Sequence, residues 1–268
     1  MPNDCKVTAM NKNQHDFMRR VSTALGREQA PVSTTSGLFD TRPNGELDAL
    51  LAKAERGRLG QLELLATLKE TAAPLNLHVH EVETVDDAGE GIATLARTTD
   101  TEWGGDKCIT IHDNPLLMNL GLDQRLADDA IDVAVSRMEP GRDEMAEKHR
   151  LREQAEAAFI GVTGADWCAV DCAAIALLGR PGHGRATSLV PSIHIGVLTL
   201  DQLLADLPEL YAQLETLESL PVSFNFISGP SKTADIEAQL VHGAHGPREM
   251  HLFVITDAEH PLAELSAD

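Results

Sequence analysis

The segment from Ser223 to Val254 constrains the fold more than any other part of the sequence. Its start, from Val222 to Phe226, alternates apolar and polar residues, which predicts a strand that ends at the Gly229-Pro230 turn. Its end, from Met250 to Ile255, is a short apolar run, which predicts a second, buried strand. With a helix between them, the strands would form a βαβ unit of about 30 residues. This unit predicts an α/β fold with a mostly parallel sheet flanked by helices.

The residues between these two strands favour a helix. Ser231 or Thr233 can cap its start with a side-chain oxygen. Asp235 and Glu237 lie where the positive end of a helix dipole favours acidic side chains. Gly243 can adopt the left-handed conformation that often ends a helix. We therefore predict a helix that begins near Ser231 and ends just before Gly243.

The start of this predicted helix is also the best candidate for a binding site. In open α/β sheets, ligands bind outside the carboxyl ends of the strands, and a helix start favours a small anion such as a carboxylate or phosphate. The alternative is a well-capped helix whose own acidic residues would repel an anion. The residues that we predict to bind a ligand are Gly229, Pro230, Ser231, Lys232, Thr233, Asp235, Glu237, His245 and Gly246.

The same region contains candidates for proton transfer. Asp235 and His242 are seven residues apart, so in a helix they lie two turns apart on one face. A histidine beside a carboxylate titrates near neutral pH, and His245 could join the set. Histidines flanked by glycine are, however, often only turn residues that bond the backbone. No catalytic residue is assigned firmly, and the candidates are Asp171, His242 and His245.

Two parts of this region match a known pattern. Gly229-Pro230-Ser231-Lys232-Thr233-Ala234-Asp235-Ile236-Glu237 and Gly243-Ala244-His245-Gly246-Pro247 resemble the lactate utilisation protein C (LutC/YkgG) family, whose LUD domain carries both motifs. The resemblance implies a fold like that of ribose-phosphate isomerases, sugar-phosphate deaminases and CoA transferases (NagB/RpiA/CoA-transferase-like). It also implies a role in L-lactate oxidation beside cysteine-rich and iron–sulfur partner proteins. It assigns no catalytic residue.

Two further segments resemble the family, and one of them departs from it. Gly161 to Asp166 matches a family segment that normally continues as Ala-Asp/Glu-Thr-Gly-Ser/Thr. This chain has Val170-Asp171-Cys172-Ala173-Ala174 instead, which keeps the acid and loses the glycine and both hydroxyls. Each lost donor to a ligand would be worth about 0.5–1.5 kcal/mol net. Leu189 to Ile195, with His194, resembles a family segment that leads into a strand. His194 could equally be a core histidine with all its hydrogen bonds satisfied.

The chain divides into an N-terminal extension and one large domain. Residues 1–45 are predicted to form a helix, from Asp16 to Leu25, and a connector rich in Pro, Ser and Thr. Residues 46–268 are predicted to form the LUD domain. Early in it, apolar spacing predicts a long helix, or a pair broken at Gly57 or Gly60. A further helix is predicted from Leu200 to Leu217.

Charge and hydropathy limit the classes of partner. With 42 acidic against 22 basic residues the formal net charge is −20, which repels nucleic acid and anionic membranes. No apolar run approaches the about 20 residues that a membrane helix needs. The first residues, Met1 to Asp16, are too polar for a secretory signal. We therefore expect a cytoplasmic protein that has no membrane span and binds no nucleic acid.

Cysteine and histidine spacing argues against a metal centre in this chain. The four cysteines have none of the Cys-x-x-Cys spacing of a zinc or iron–sulfur site. His78 and His80 would lie on one side of a strand, and His112 and Asp113 follow a nearby strand, so these residues could form a metal site, but such pairs more often face solvent. We predict no metal and no cofactor bound by this chain, and we expect iron–sulfur clusters in partner proteins.

These observations lead to one principal function and two alternatives. The principal hypothesis is a non-redox subunit of an iron–sulfur system that oxidises L-lactate to pyruvate. The first alternative is a free-standing enzyme acting on a small phosphorylated, carboxylated or CoA-linked metabolite. The second is a binding module that has lost its ligand, as the Cys172-Ala173-Ala174 replacement suggests.

Overall fold

The computed structural model describes residues 12–24, 45–101, 104–219, 221, 223–234, 240–242 and 245–257. The chain divides into two compact units, Met1–Leu47 and Asp48–Asp268. A helix lies in the first unit, as the apolar spacing near Phe17 predicted. The predicted domain division, residues 1–45 and 46–268, stays a prediction.

Helices occur throughout the described residues. The α-helices are α1 Lys12–Ala24, α2 Glu46–Ala54, α3 Arg58–Ala72, α4 Val85–Thr98, α5 Pro115–Met118, α6 Leu122–Arg125, α7 Glu144–Ala157, α8 Ala186–Leu189 and α9 Leu207–Glu215. The break between α2 and α3 confirms the predicted interruption near Gly57, the residue that precedes the first turn of α3.

Strands alternate with these helices over most of the chain. They are β1 Leu77–Val82, β2 Cys108–His112, β3 Asp132–Ser136, β4 Ile160–Gly164, β5 Trp167–Ala169, β6 Ala174–Leu178, β7 Ile193–Thr199, β8 Leu203–Leu204, β9 Phe224–Ile227, β10 Lys232–Ala234, β11 Leu240–His242 and β12 Glu249–Ile255.

Six of these strands form the main sheet, in the order β1-β12-β7-β4-β2-β3. Every neighbouring pair in it is parallel. One face packs on α4, α5 and α6 through residues such as Ile92 and Ile195. The other face packs on α3 and on the second sheet through Leu68, Leu198 and Leu252. Because the central strands are covered on both faces, most of their residues are apolar. The predicted α/β fold with a mostly parallel sheet is confirmed.

A smaller sheet lies beside the main one, in the order β8-β5-β6-β9. The pairs β5-β6 and β6-β9 are antiparallel, and β5-β8 is parallel. Its strands share one core cluster with α9, which includes Trp167, Leu204 and Leu210. β9 lies at one edge of this sheet, and the turn that contains Gly229 follows it directly.

The predicted βαβ unit is wrong. The strand at Phe224–Ile227 pairs antiparallel with β6 in the smaller sheet, whereas the neighbours of β12 are β1 and β7. The composition of the two strands explains the difference. The first strand alternates apolar and polar residues, as is typical of an antiparallel strand with one open face, whereas β12 is apolar at every position except Glu249 and His251.

The predicted helix from Ser231 to Gly243 is also wrong in its described parts. Lys232–Ala234 and Leu240–His242 form an antiparallel pair, in which Lys232 lies opposite His242. Only Ile236 and Leu240 gave the predicted helix an apolar face, and two residues are too few to establish a helical period. The backbone amide of Ser231 donates to the carbonyl oxygen of Pro247 at 2.8 Å, so the chain leaves the turn extended.

The helix predicted from Leu200 to Leu217 begins later than expected. A 3₁₀ turn, Leu200–Gln202, and the short strand β8 occupy its first part. The α-helix begins after Asp206, whose carboxylate accepts a hydrogen bond from the Glu209 amide at 3.0 Å. Asp206 with Pro208 is a helix-start signal that the leucine spacing concealed.

Candidate functional site

A cavity of about 240 Å3 lies where the two matched motifs meet. Of the residues predicted to bind a ligand, it is lined by Gly229, Ser231, His245 and Gly246. The remaining lining includes His194, Phe226 and Met250. The cavity therefore joins the turn after β9, the turn before β12 and the start of β7.

The two turns are held against each other by close backbone contact. Besides the bond from Ser231 to Pro247, a Cβ atom at Gly246 would lie 3.2 Å from the Cβ atom of Ser231. Gly229 has φ +83°, a left-handed conformation that suits glycine. Ser228, which also lines the cavity, donates its hydroxyl to the Cys172 carbonyl oxygen at 2.6 Å. The altered Cys172 turn thus contacts the cavity wall through its backbone.

His194 is a deeply buried polar side chain in the lining of this cavity. Its side chain is 1% exposed, and its Nε2 lies 2.9 Å from the Thr163 hydroxyl oxygen. Its Nδ1 is buried and has no hydrogen-bond partner among the described residues. Burial lowers the pKa of His194 to about 4, so the ring is neutral at neutral pH. A neutral imidazole with one nitrogen engaged can offer the other to a ligand.

Among the described residues, the cavity lining carries no Lys, Arg, Asp or Glu. A carboxylate or phosphate that entered it would lose its hydration without gaining a cation, which is costly. The helix start on which the prediction of an anion site depended is absent from residues 232–234, which form β10. The lining therefore suits an uncharged group that hydrogen-bonds an imidazole or a serine.

The other predicted site residues are placed differently. Pro230 is buried, and Lys232 is exposed in β10. Asp235 and Glu237 lie outside the described residues, and for Thr233 and His242 only the backbone, in β10 and β11, is described. The catalytic candidate Asp171 is exposed in the 3₁₀ turn Val170–Cys172 and does not line the cavity.

Thr163 is a site residue that sequence reasoning missed. It belongs to the matched segment Gly161 to Asp166, and His194 belongs to another matched segment, yet nothing in either segment indicated that they touch. Their strands β4 and β7 are neighbours, with Gly161 opposite His194. The sequence signal that could have indicated this contact was that both matched segments contain or lead into an apolar strand.

Gly161 is required where α8 crosses β4. A Cβ atom there would lie 1.8 Å from the Thr187 carbonyl oxygen, so Gly161→Ala should lower the free energy of unfolding by about 2 kcal/mol. Urea unfolding of the purified chain measures this. Gly105→Ala is the matched control, since no atom of the described residues lies within 4 Å of its added Cβ atom. Equal stabilities for the two variants would contradict the packing shown between α8 and β4.

The described cysteines lie in surroundings that favour the thiol. Burial, the largest cause in each case, raises the pKa of Cys108, of Cys168 and of Cys172, the last to about 11. Among the described residues, no group of three or more His, Cys, Asp or Glu could hold a metal ion. His80, one of the two histidines predicted to lie on one side of a strand, contacts another histidine: its Nε2 lies 3.0 Å from Nδ1 of His251.

In the parts of the chain that the structure describes, the helices are too short or too polar to cross a membrane.

Comparison with known proteins identifies the group to which this architecture is similar. The LUD domain family matches residues 65–255. "Lactate utilization protein C" of Shouchella clausii is 28% identical over 251 residues, covering 92% of this chain and 100% of the relative. The protein of the same name in Anoxybacillus flavithermus is 31% identical over 241 residues, covering 90% and 98%. "Uncharacterized protein YkgG" of Escherichia coli is 27% identical over 259 residues, covering 91% and 99%. A crystal structure of a DUF162 family protein from Deinococcus radiodurans aligns with a TM-score of 0.45 and 16% identity, over 73% of this chain and 98% of that one.

Proposed function

The chain belongs to the LUD domain family, and from this premise we propose that it acts in lactate utilisation as a non-redox subunit beside iron–sulfur proteins that oxidise L-lactate to pyruvate. The observation that carries the proposal is the nearly full-length match to relatives named lactate utilization protein C. Each of those relatives is covered over 98–100% of its own length, so the likeness extends well beyond a shared module.

The chemistry of the described cysteines supports placing the redox centres in partners. Iron–sulfur clusters are held by thiolates. Burial keeps Cys108, Cys168 and Cys172 as thiols at neutral pH, because it raises the pKa of each. Among the described residues, none of the three belongs to a group of three or more side chains that could hold a metal ion.

The weak basicity of the histidine in the cavity also supports a non-redox role for this chain. Oxidation of lactate to pyruvate releases two electrons and two protons, and a base that takes a proton at neutral pH works best with a pKa near 7. The pKa of His194 is about 4, so its ring is a weak base there. We assign it the role of a neutral hydrogen-bond partner that positions an uncharged group of a ligand or of a partner protein.

One observation favours a second candidate function. The apolar, uncharged lining of the cavity fits the acyl part of a CoA-linked metabolite better than it fits a phosphate or a free carboxylate. A free-standing enzyme or binding module for such a metabolite is the alternative. It predicts turnover or binding by the isolated chain.

Deletion of the gene should abolish or strongly slow growth on L-lactate and leave growth on pyruvate unchanged. The reason is that a missing subunit stops electron transfer from lactate, whereas pyruvate enters metabolism after that step. Tagged protein from lactate-grown cells should co-purify with iron and with lactate-oxidising activity. Normal growth of the deletion strain on lactate, with purification of a colourless and inactive chain, would refute the subunit role and favour the alternative.

A further inference from the structure

The two outermost strands of the main sheet differ in how their open edges are protected. Within the described residues, β1 has one neighbouring strand, β12, and β3 has one, β2. Such an edge presents backbone groups that can add a further strand, and charged side chains are a usual protection against this. On β1, Glu81 forms an ion pair with Lys69 of α3 at 2.5 Å. The β1 edge therefore carries a charged pair that discourages strand addition.

The middle of β3 has no comparable protection. Its central residues are Val133-Ala134-Val135, and all three side chains are half-buried. Gln154 of α7 donates to the Ala134 carbonyl oxygen at 3.0 Å, so the strand is fixed against that helix. In the described part of the chain, the side of β3 opposite β2 has no strand partner. A short, apolar edge strand of this kind is suited to pair with another chain.

Apolar surface continues from this edge onto both faces of the sheet. A cavity of about 660 Å3 is lined by Ala134, Val135 and Met138, and one of about 350 Å3 is lined by Met118, Val133 and Val135. Because side chains alternate along a strand, Val133 and Ala134 point to opposite faces. Met118 is 39% exposed and Met138 is 44% exposed. Methionine side chains are flexible and adapt to a partner's surface, so both faces of the edge can contribute to an interface.

The charges at the two ends of β3 are opposite. Asp132, at the start of the strand, is exposed and forms no ion pair with another described residue. The side chain of Arg137, directly after the strand, is 61% exposed, and its pair with Asp113 is long, at 3.7 Å. When two copies of such a strand pair antiparallel, each acidic end lies beside the basic end of the other copy. The edge is therefore complementary to itself, although the whole chain carries a net charge of −20.

We propose that the β3 edge pairs antiparallel with the β3 edge of a second copy of this chain, which joins the two six-stranded sheets edge to edge. Asp132 of each copy then lies beside the partner's Arg137, and the exposed methionines cover the apolar surface of the other copy. The arrangement has two-fold symmetry, which closes the assembly at a dimer. It rests on the edge strand alone and is independent of the proposed function.

Sedimentation velocity of the full chain over a concentration series tests the proposal. The wild type should sediment as a dimer that dissociates on dilution. Asp132→Lys and Arg137→Glu each bring like charges together at both ends of the interface, so each should weaken dimerisation by about tenfold. Lys69→Glu is the matched control, because it reverses a charge at the opposite edge of the same sheet and should leave dimerisation unchanged.

An equimolar mixture of the two single variants distinguishes loss of pairing from misfolding. In a mixed dimer of Asp132→Lys with Arg137→Glu, every acidic side chain again lies beside a basic one. The mixture should therefore dimerise with the affinity of the wild type. A wild type that is monomeric at every concentration, a mixture as weak as the single variants, or a dimer that Lys69→Glu weakens and Arg137→Glu does not would each overturn the proposal.

Discussion

The protein should lose about 4 kcal/mol of its free energy of unfolding between pH 7.5 and pH 5.5, a change large enough to unfold many domains. The main cause is a set of three buried neutral histidines, at most 6% exposed: His112, His194 and His251. Burial is the largest cause of the lowered pKa of each, which is about 3, about 4 and about 3. His183, whose pKa burial lowers to about 4, adds to the loss.

The sign follows from proton binding by the two states. An unfolded histidine has a pKa near 6.5, so below that pH the unfolded chain binds protons that the native protein excludes. Stability is therefore fully present above pH 6.5 and falls as the pH drops toward 4. Each group contributes up to roughly 1.4 kcal/mol per pH unit, and the three together contribute roughly 4 kcal/mol per unit.

Urea unfolding at the two pH values, followed by the fluorescence of the buried Trp167, measures this loss. His251→Gln should reduce the difference by about 1.4 kcal/mol, because it removes one buried neutral histidine and can still hydrogen-bond His80. His149→Gln is the control, since that side chain is 71% exposed. A pH dependence that is the same in the wild type and in His251→Gln would contradict the assignment of His251 as a buried neutral ring.

Arg56→Met should lower the free energy of unfolding by about 2–3 kcal/mol. The Glu209 side chain is fully buried, and its two oxygens accept from the Arg56 guanidinium at 2.7 and 2.6 Å. Burial alone would raise the pKa of Glu209, but hydrogen bonds from Arg56, the Ala205 amide and Lys53 outweigh it and hold the pKa at about 2. Without Arg56 the buried carboxylate keeps Lys53, at 3.1 Å, and the Ala205 amide, at 2.8 Å, so the loss of stability is smaller than that for a fully isolated charge.

A double variant separates this effect from simple loss of packing. Arg56→Met with Glu209→Gln removes the uncompensated charge and should recover part of the lost stability. Arg152→Met is the matched control, because Arg152 is 78% exposed and its pair with Glu156 lies at the surface of α7. A double variant no more stable than Arg56→Met would refute the explanation by buried charge.

The central sheet could be predicted from sequence because the apolar composition of its strands reflects their burial on both faces. The run from Met250 to Ile255 is apolar at nearly every position, which is what a strand covered on both faces requires. The hairpin at β10 and β11 could not, since hydroxyl residues after Gly229-Pro230 cap helices and start turns equally well. The bond from Ser231 to Pro247 joins residues distant in sequence immediately before β10, and no local signal encodes this contact.

The candidate cavity was partly predictable for a related reason. The matched turns identified Gly229, Ser231, His245 and Gly246 without showing that they face one another. The contact of His194 with Thr163 joins residues 31 apart in sequence, and the neutral state of His194 comes from burial rather than from its sequence neighbours. Local pattern can identify such residues, whereas their protonation depends on the completed fold.

The backbone of Ala173 explains how this chain can depart from its family and keep its shape. The residue has φ +46° and no exposed surface, in the turn where the family carries glycine. A left-handed alanine costs roughly 1–2 kcal/mol in backbone energy, and burial of its methyl group returns about 0.8 kcal/mol. The net free-energy difference between glycine and alanine at this turn is therefore small, so the turn accepts either residue. The two hydroxyl groups that the family pattern places beside it have no such compensation, so their replacement by Cys172 and Ala174 keeps the turn and removes two hydrogen-bonding groups.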